Sequence, residues 1–188
     1  MKSLPYRPTR ERGFVLITGL IFLVVLTLLG LALFRSGGMQ ERIAGNTREK
    51  QRALEAAESA LQYGEWWVSE QNRGTGTPCT AVTNGNVVAN MKVCSNALAN
   101  PTSLPWPAYA SYQPPTMTVS TAGGLAANGD INYQAKPGVY ISYLGLDSTG
   151  KAQLYQVTAF GQGGSASTAA VVQSTYKMAS AVKDLGGN

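Results

Sequence analysis

Histidine is absent from all 188 residues. The commonest general base and the commonest metal ligand are therefore missing. Carboxylates are also scarce where a globular domain would need them: Asp130 and Asp147 are the only acids between Glu70 and Asp184. Both lie among turn formers, where an aspartate caps its own backbone. A hydrolase would have to rely on a Ser-Lys pair or on paired carboxylates, and no motif supplies either. Asn128-Gly129-Asp130 is too sparse for calcium, which takes about six to eight oxygen ligands. Two cysteines, Cys79 and Cys94, cannot complete a zinc site without histidine. The chain reads as a non-enzyme, with no catalytic residue, metal or cofactor.

Charge is thin and unevenly placed. Only 13% of residues are charged, with a formal excess of +5. Lys2, Arg7, Arg10 and Arg12 outweigh Glu11, which puts +3 on residues 1–13 and leaves +2 for everything after them. A nucleic-acid footprint needs a basic patch on the soluble part, so the distribution argues against nucleic acid as a partner.

What the chain has in excess is one apolar run. Residues 14–34 are 21 uncharged, mostly apolar positions directly after that basic head. As a helix they rise about 31 Å, close to the hydrocarbon thickness of a bilayer. Clustered positive charge before such a span keeps the N-terminus in the cytoplasm and sends the rest across. Cys79 and Cys94 would then face an oxidising compartment, where a disulfide is the natural state; two unpaired buried thiols are the alternative. A bridge would close a loop of about 15 residues, worth roughly 3 kcal/mol on the chain-entropy model.

Composition divides the chain into five stretches. Residues 1–13 carry Pro5 and Pro8, which oppose helix, and form a leader. Residues 14–37 are the membrane helix, with a weak spot expected near Gly37-Gly38 and Gly45. Residues 38–70 are amphipathic: Ala53, Leu54, Ala57, Ala60, Leu61, Gly64, Trp67 and Val68 recur at helical spacing on one face. Arg52 and Glu55 sit at a favourable i, i+3 distance, and the adjacent Trp66 and Trp67 cannot both face one core. Residues 71–130 are rich in Gly, Pro, Asn, Ser and Thr and read as irregular, with one short strand expected at Met117-Thr118-Val119. Such a long loop needs pinning, and the cysteine bridge and a buried Trp106 are the candidates.

Residues 131–188 recover a strand rhythm. Segments 138–144, 153–160 and 169–176 are β-branched and aromatic, separated by turn-rich Asp147-Ser148-Thr149-Gly150 and Gly161–Ser165. Three strands with short connections make an antiparallel meander, which can leave one face wet if the other is covered. The apolar stripe of residues 53–68 is the only long helix available to cover it. The expected fold is α+β: a long N-terminal helix packed on a small C-terminal antiparallel sheet, with an irregular loop between them.

Arg12-Gly13-Phe14-Val15-Leu16-Ile17 resembles the cleavage site of type IV pilins and pseudopilins. The resemblance implies that a dedicated prepilin peptidase cuts after Gly13 on the cytoplasmic side and methylates the new N-terminal Phe14. A secretory signal would show an apolar core of about 7–15 residues and a small-x-small site. The run here is longer, and Ser36-Gly37-Gly38 matches that site poorly. A plain uncleaved anchor is the other alternative.

The resemblance narrows further. Residues 26–32, Arg35, Glu41-Arg42-Ile43-Ala44-Gly45-Asn46 and residues 53–61 look like the N-terminal region of PilX-type minor pilins. Tyr155-Gln156-Val157-Thr158-Ala159 and Val172-Gln173-Ser174-Thr175-Tyr176 resemble that family's C-terminal strands. The likeness implies a pilin-like fold and a structural subunit that helps prime assembly of type IV pili. Its partners would be other minor pilins, the major pilin, prepilin peptidase and the inner-membrane assembly machinery. It would sit in the bacterial inner membrane with its C-terminal domain periplasmic, and in extracellular pili after assembly. Two alternatives stand beside this one. One is a minor pseudopilin of a type II secretion system. The other is a tip adhesin reading a surface through Trp106, Tyr109 and Tyr112.

One position departs from the common pilin pattern. Most pilins have glutamate at the fifth residue of the mature chain, thought to pair with a neighbouring subunit's terminal amine. Counted from Phe14, that position is Thr18, and no acid lies anywhere in residues 14–34. A carboxylate in the membrane is expensive without a partner, so its loss removes a cost and a docking contact together. The resemblance then points to a place at the tip rather than along the shaft; a lipid-facing filler residue is the plainer reading of Thr18.

Overall fold

In a computed structural model of the chain, the described residues are 12–70, 72–127 and 129–179, excluding the side chains of residues 12 and 33–37. The expected leader falls mostly on residues 1–11, which lie outside the described residues. The chain divides into two units, Met1–Asn46 and Thr47–Asn188.

A helix, α1, runs over Arg12–Ser69. Its sequence contains no proline, so no intrahelical N–H is removed along its length. The backbone is helical at Gly37, Gly38 and Gly45, where a weak spot was expected. Five strands follow: β1 (Val82–Asn84), β2 (Tyr109–Ser111), β3 (Gly138–Leu146), β4 (Ala152–Gln162) and β5 (Ala169–Ala179). They form one sheet in the order β1-β2-β3-β4-β5, with β1 and β2 parallel and the other neighbours antiparallel.

Strands β3, β4 and β5 are the expected meander, set in register by pairs such as Ile141 with Val157 and Tyr155 with Tyr176. The β3–β4 connection closes where the N–H of Gly150 donates to the Asp147 carbonyl at 2.9 Å. Gly150 has φ +69°, a conformation that glycine adopts without a Cβ clash. Strands β1 and β2 come from the stretch that reads as irregular; at three residues each they are too short to show a period. The strand expected at Met117–Val119 does not form. Val119 makes only an isolated bridge to Tyr133, since Pro114 and Pro115 start a turn there instead.

In the unit from Thr47 onward, one face of the sheet is covered by the helix. Ala53, Ala56, Ala57, Ala60, Trp67 and Val68 are buried on the helix side, and Val139, Ile141, Tyr155, Val157 and Ala159 on the strand side. The helix comes close because side chains are missing at the contact. A Cβ on Gly161 would lie 2.5 Å from the Ala53 carbonyl oxygen and 2.5 Å from the Ala57 nitrogen. One on Gly64 would meet side-chain methyls of Val139 and Val157 at 2.7 and 2.8 Å. The tryptophan pair splits as its spacing requires: Trp67 is 6% exposed and donates its indole N–H to the Val88 carbonyl, while Trp66 is 46% exposed.

The opposite face is not left wet. Tyr140 and Phe160, which alternation points away from the helix, are buried with Cys94, Trp106 and Ala108 from the long loop. Trp106 is 3% exposed, meets the Phe160 ring edge-on at 4.9 Å, and donates its indole N–H to the Pro101 carbonyl.

The glycine contact yields a graded expectation. Gly161→Ala should lower unfolding free energy by about 1–3 kcal/mol, the range for overpacking, because its neighbours are largely helix backbone. Gly64→Ala should cost less, since it meets side-chain methyls. Denaturant titration of the full chain in micelles, followed by circular dichroism, checks this; a Gly161→Ala variant as stable as wild type would refute the contact.

Candidate functional site

The apolar segment is a surface without a lining of its own. Gly13–Ala32 is long and apolar enough to cross a membrane, and none of it is buried within the chain. Phe14 and Gly13 open the helix, and Phe14, Leu16, Phe22 and Leu23 are all exposed. Thr18 and Thr27 are the only hydroxyls in residues 14–34. Thr18 donates to the carbonyls of Phe14 at 3.0 Å and Val15 at 3.1 Å, and Thr27 donates to that of Val24 at 2.7 Å. Both hydroxyls are thus satisfied within their own helix, as hydrocarbon surroundings require. Gly19 and Gly30 have nothing within 4 Å of a Cβ position, so each leaves a bare spot on the helix surface.

In the second unit, Cys79 and Cys94 form the expected disulfide, with S–S 1.99 Å and Cα atoms 5.3 Å apart. The bridge joins segments that already lie side by side. Thr77 donates its N–H to Val93 at 3.1 Å and accepts from Ser95 at 3.0 Å. Cys94 in turn lies along β3, donating to Ile141 at 2.7 Å and accepting from Tyr143 at 3.0 Å. The loop is therefore stitched onto the sheet edge by backbone hydrogen bonds, and the disulfide locks the stitch.

The aromatic residues that suggested a binding surface serve as anchors. Trp106 is buried, Tyr109 packs edge-on against Phe160 at 5.1 Å, and Tyr112 stacks on Tyr63 at 4.1 Å. Tyr63 donates its hydroxyl to the Gly85 carbonyl at 2.7 Å. Burial raises its pKa, and neighbouring Tyr112 raises it further. These contacts hold three parts of the loop to the helix and sheet.

The charged groups hold the fold together in the same way. Arg52 pairs with Glu49 at 3.6 Å rather than with Glu55. It also donates to the Ile131 carbonyl and lies over the Tyr133 ring at 4.4 Å. The Glu49 carboxylate accepts the N–H of Gly164, tying the helix to the β4–β5 turn. The sequence hint for this knot is the trio Gly161, Gly163 and Gly164, which allows backbone to approach helix. Asp147 caps its own turn, accepting from Thr149, Lys151 and Ala152, and pairs with Lys177 at 2.7 Å. No cluster of three metal-ligating side chains occurs among the described residues.

A surface-exposed apolar helix followed by a helix-backed sheet is the plan the pilin resemblance implies. Two family models match the chain: PilX N-terminal over residues 12–62, and type IV pilus assembly protein PilX C-term over residues 70–178. The chain belongs to the PilX family of type IV pilus minor pilins. No curated protein and no solved structure gives a significant match. PilX proteins are structural components of the pilus, and the two models span both the apolar helix and the sheet. Membership makes other pilus components the partners of this PilX chain and favours the pilus over a secretion system.

Asp147 supplies a pH test. Its carboxyl is held well below the usual carboxylate range, chiefly by Lys177, then by the Thr149 hydroxyl and the backbone N–H groups of Ala152 and Lys151. A depressed native pKa gives stability that is fully present above the unfolded carboxylate value of about 3.9 and lost as pH falls further. Thermal unfolding between neutral pH and the acid limit should therefore show a smaller acid-induced drop in Asp147→Asn than in wild type. Parallel curves for the two proteins would refute the assignment.

Proposed function

We propose that this PilX protein is made with a leader, cut by prepilin peptidase between Gly13 and Phe14, and N-methylated at Phe14. The mature subunit waits in the inner membrane with the residues beyond the span in the periplasm, then primes and enters pili at or near the tip. Its neighbours are other minor pilins and the major pilin, reached through the inner-membrane assembly machinery.

The observation that carries the tip reading is Thr18. A glutamate there would offer an acceptor to the terminal amine of the subunit below, and would need that partner to be tolerated in hydrocarbon. The Thr18 hydroxyl instead spends its donor on the Phe14 and Val15 carbonyls of its own helix. A subunit lacking this contact has no charge-paired reason to follow another subunit, yet can still begin a filament. The apolar helix supports entry into the filament core, because lipid-facing side chains such as Leu16 and Phe22 can exchange lipid for like helices.

N-terminal peptide mass spectrometry on native membranes and sheared filaments tests the reading. The expected result is a chain starting at methylated Phe14, present at low abundance in the filament fraction. A chain retaining residues 1–13 and confined to membranes would overturn it. Thr18→Glu should raise the ratio of this subunit to the major pilin in sheared filaments; an unchanged ratio would count against the tip placement.

A further inference from the structure

A cleft of about 650 Å³ opens between the helix and the loop of residues 114–133, wholly within the second unit. Its volume falls within the roughly 300–1,000 Å³ typical of ligand sites. Buried Ala56 and Met117 supply an apolar floor. Ser59, Thr116 and Thr118 line the walls with hydroxyls. Arg48, Glu55 and Asp130 stand at the exposed rim, with Arg52 and Tyr133 forming one end.

The chemistry of this lining is selective. Arg48 and Arg52 are matched in number by Glu55 and Asp130 among the lining residues, so the lining holds no excess of one sign to select a phosphate or a cation. The apolar part of the lining is limited to Ala56 and Met117 with Pro114 and Ile131 beside them, and most of the other lining residues are polar. The walls and rim mix hydrogen-bond donors with acceptors over a short span. Vicinal hydroxyls, each donating and accepting, match such a wall, while the C–H face of a pyranose ring matches the floor. Arg52 is fixed in place by its contacts to Glu49, Ile131 and Tyr133, so that end of the cleft is already ordered before any ligand arrives.

We propose that this cleft binds a neutral carbohydrate. The pyranose lies over Ala56 and Met117, its hydroxyls reaching Ser59 and Glu55. The site is separate from the apolar helix and does not depend on tip placement.

Saturation-transfer NMR on the full-length chain in lipid nanodiscs, free of glycoside detergents, tests the proposal with chitotriose, cellotriose and mannotriose as probes. At least one should bind in the millimolar range or tighter. Glu55→Ala and Ser59→Ala should each weaken binding by about fivefold or more, the loss of one hydrogen bond. Both positions are at least partly exposed on the helix, so unfolding temperature should not change. Failure of all three sugars to bind would overturn the proposal, as would binding that both variants leave intact. If the variants instead alter crosslinking to another pilin and no sugar binds, the cleft is a protein contact and the carbohydrate assignment falls.

Discussion

The close approach of helix to strand is the contact on which the second unit is built. Gly161 sits near the C-terminal end of β4 on the face turned to the helix, and the space a Cβ would take is occupied by the Ala53 carbonyl, the Ala57 nitrogen and the Ala56 methyl. Alanines at 53, 56, 57 and 60 keep the helix surface thin at the same place. Small residues on both partners let the backbones come together, and the larger side chains on either side close over the seam. Tyr155, Ile141, Val139 and Val68 are then buried almost completely, and the meander is fixed in one orientation against the helix.

Once that face is sealed, the remaining architecture solves the problem of the other face. A three-stranded sheet with its second side open would leave Tyr140 and Phe160 in water. The loop after the helix lies across them, and its polar backbone finds partners on the β3 edge through Cys94. Turn formers make this possible because the loop needs many changes of direction and few long elements. The disulfide, the Trp106 cluster and the Tyr63–Tyr112 stack are three independent pins on one long connection. Trp106 is therefore committed to the interior, and Tyr109 and Tyr112 are half-buried in ring contacts that hold the loop.

The first unit follows different physics. Among the described residues, the large apolar side chains from Phe14 to Leu31 are exposed, and the hydroxyls of Thr18 and Thr27 are satisfied by the helix that carries them. Such a surface is at rest in lipid and equally at rest among helices of its own kind, which suits a PilX subunit that belongs to a pilus. Residues 14–34 contain no acid, so no side chain of this run carries a charge.

Patterns with a period were legible from residues alone. The apolar run, the three- and four-residue spacing of residues 53–68 and the β-branched, aromatic segments that become β3, β4 and β5 each depend on local geometry, and each appears in the structure. The disulfide followed from there being only two cysteines, both lying beyond an apolar run long enough to span a membrane. Contacts without a period were not legible. β1 and β2 are too short to alternate, Val119 makes a bridge where a strand was expected, and Arg52 turned to Glu49 because Ile131 and Tyr133 held it there. The sequence by itself determined the long apolar helix, the meander and the family likeness, because these rest on spacing along one chain. Only the tertiary structure decided which face the loop covers, that Trp106 is an anchor, and that a polar cleft opens beside Ala56, because these depend on residues far apart in sequence meeting in space.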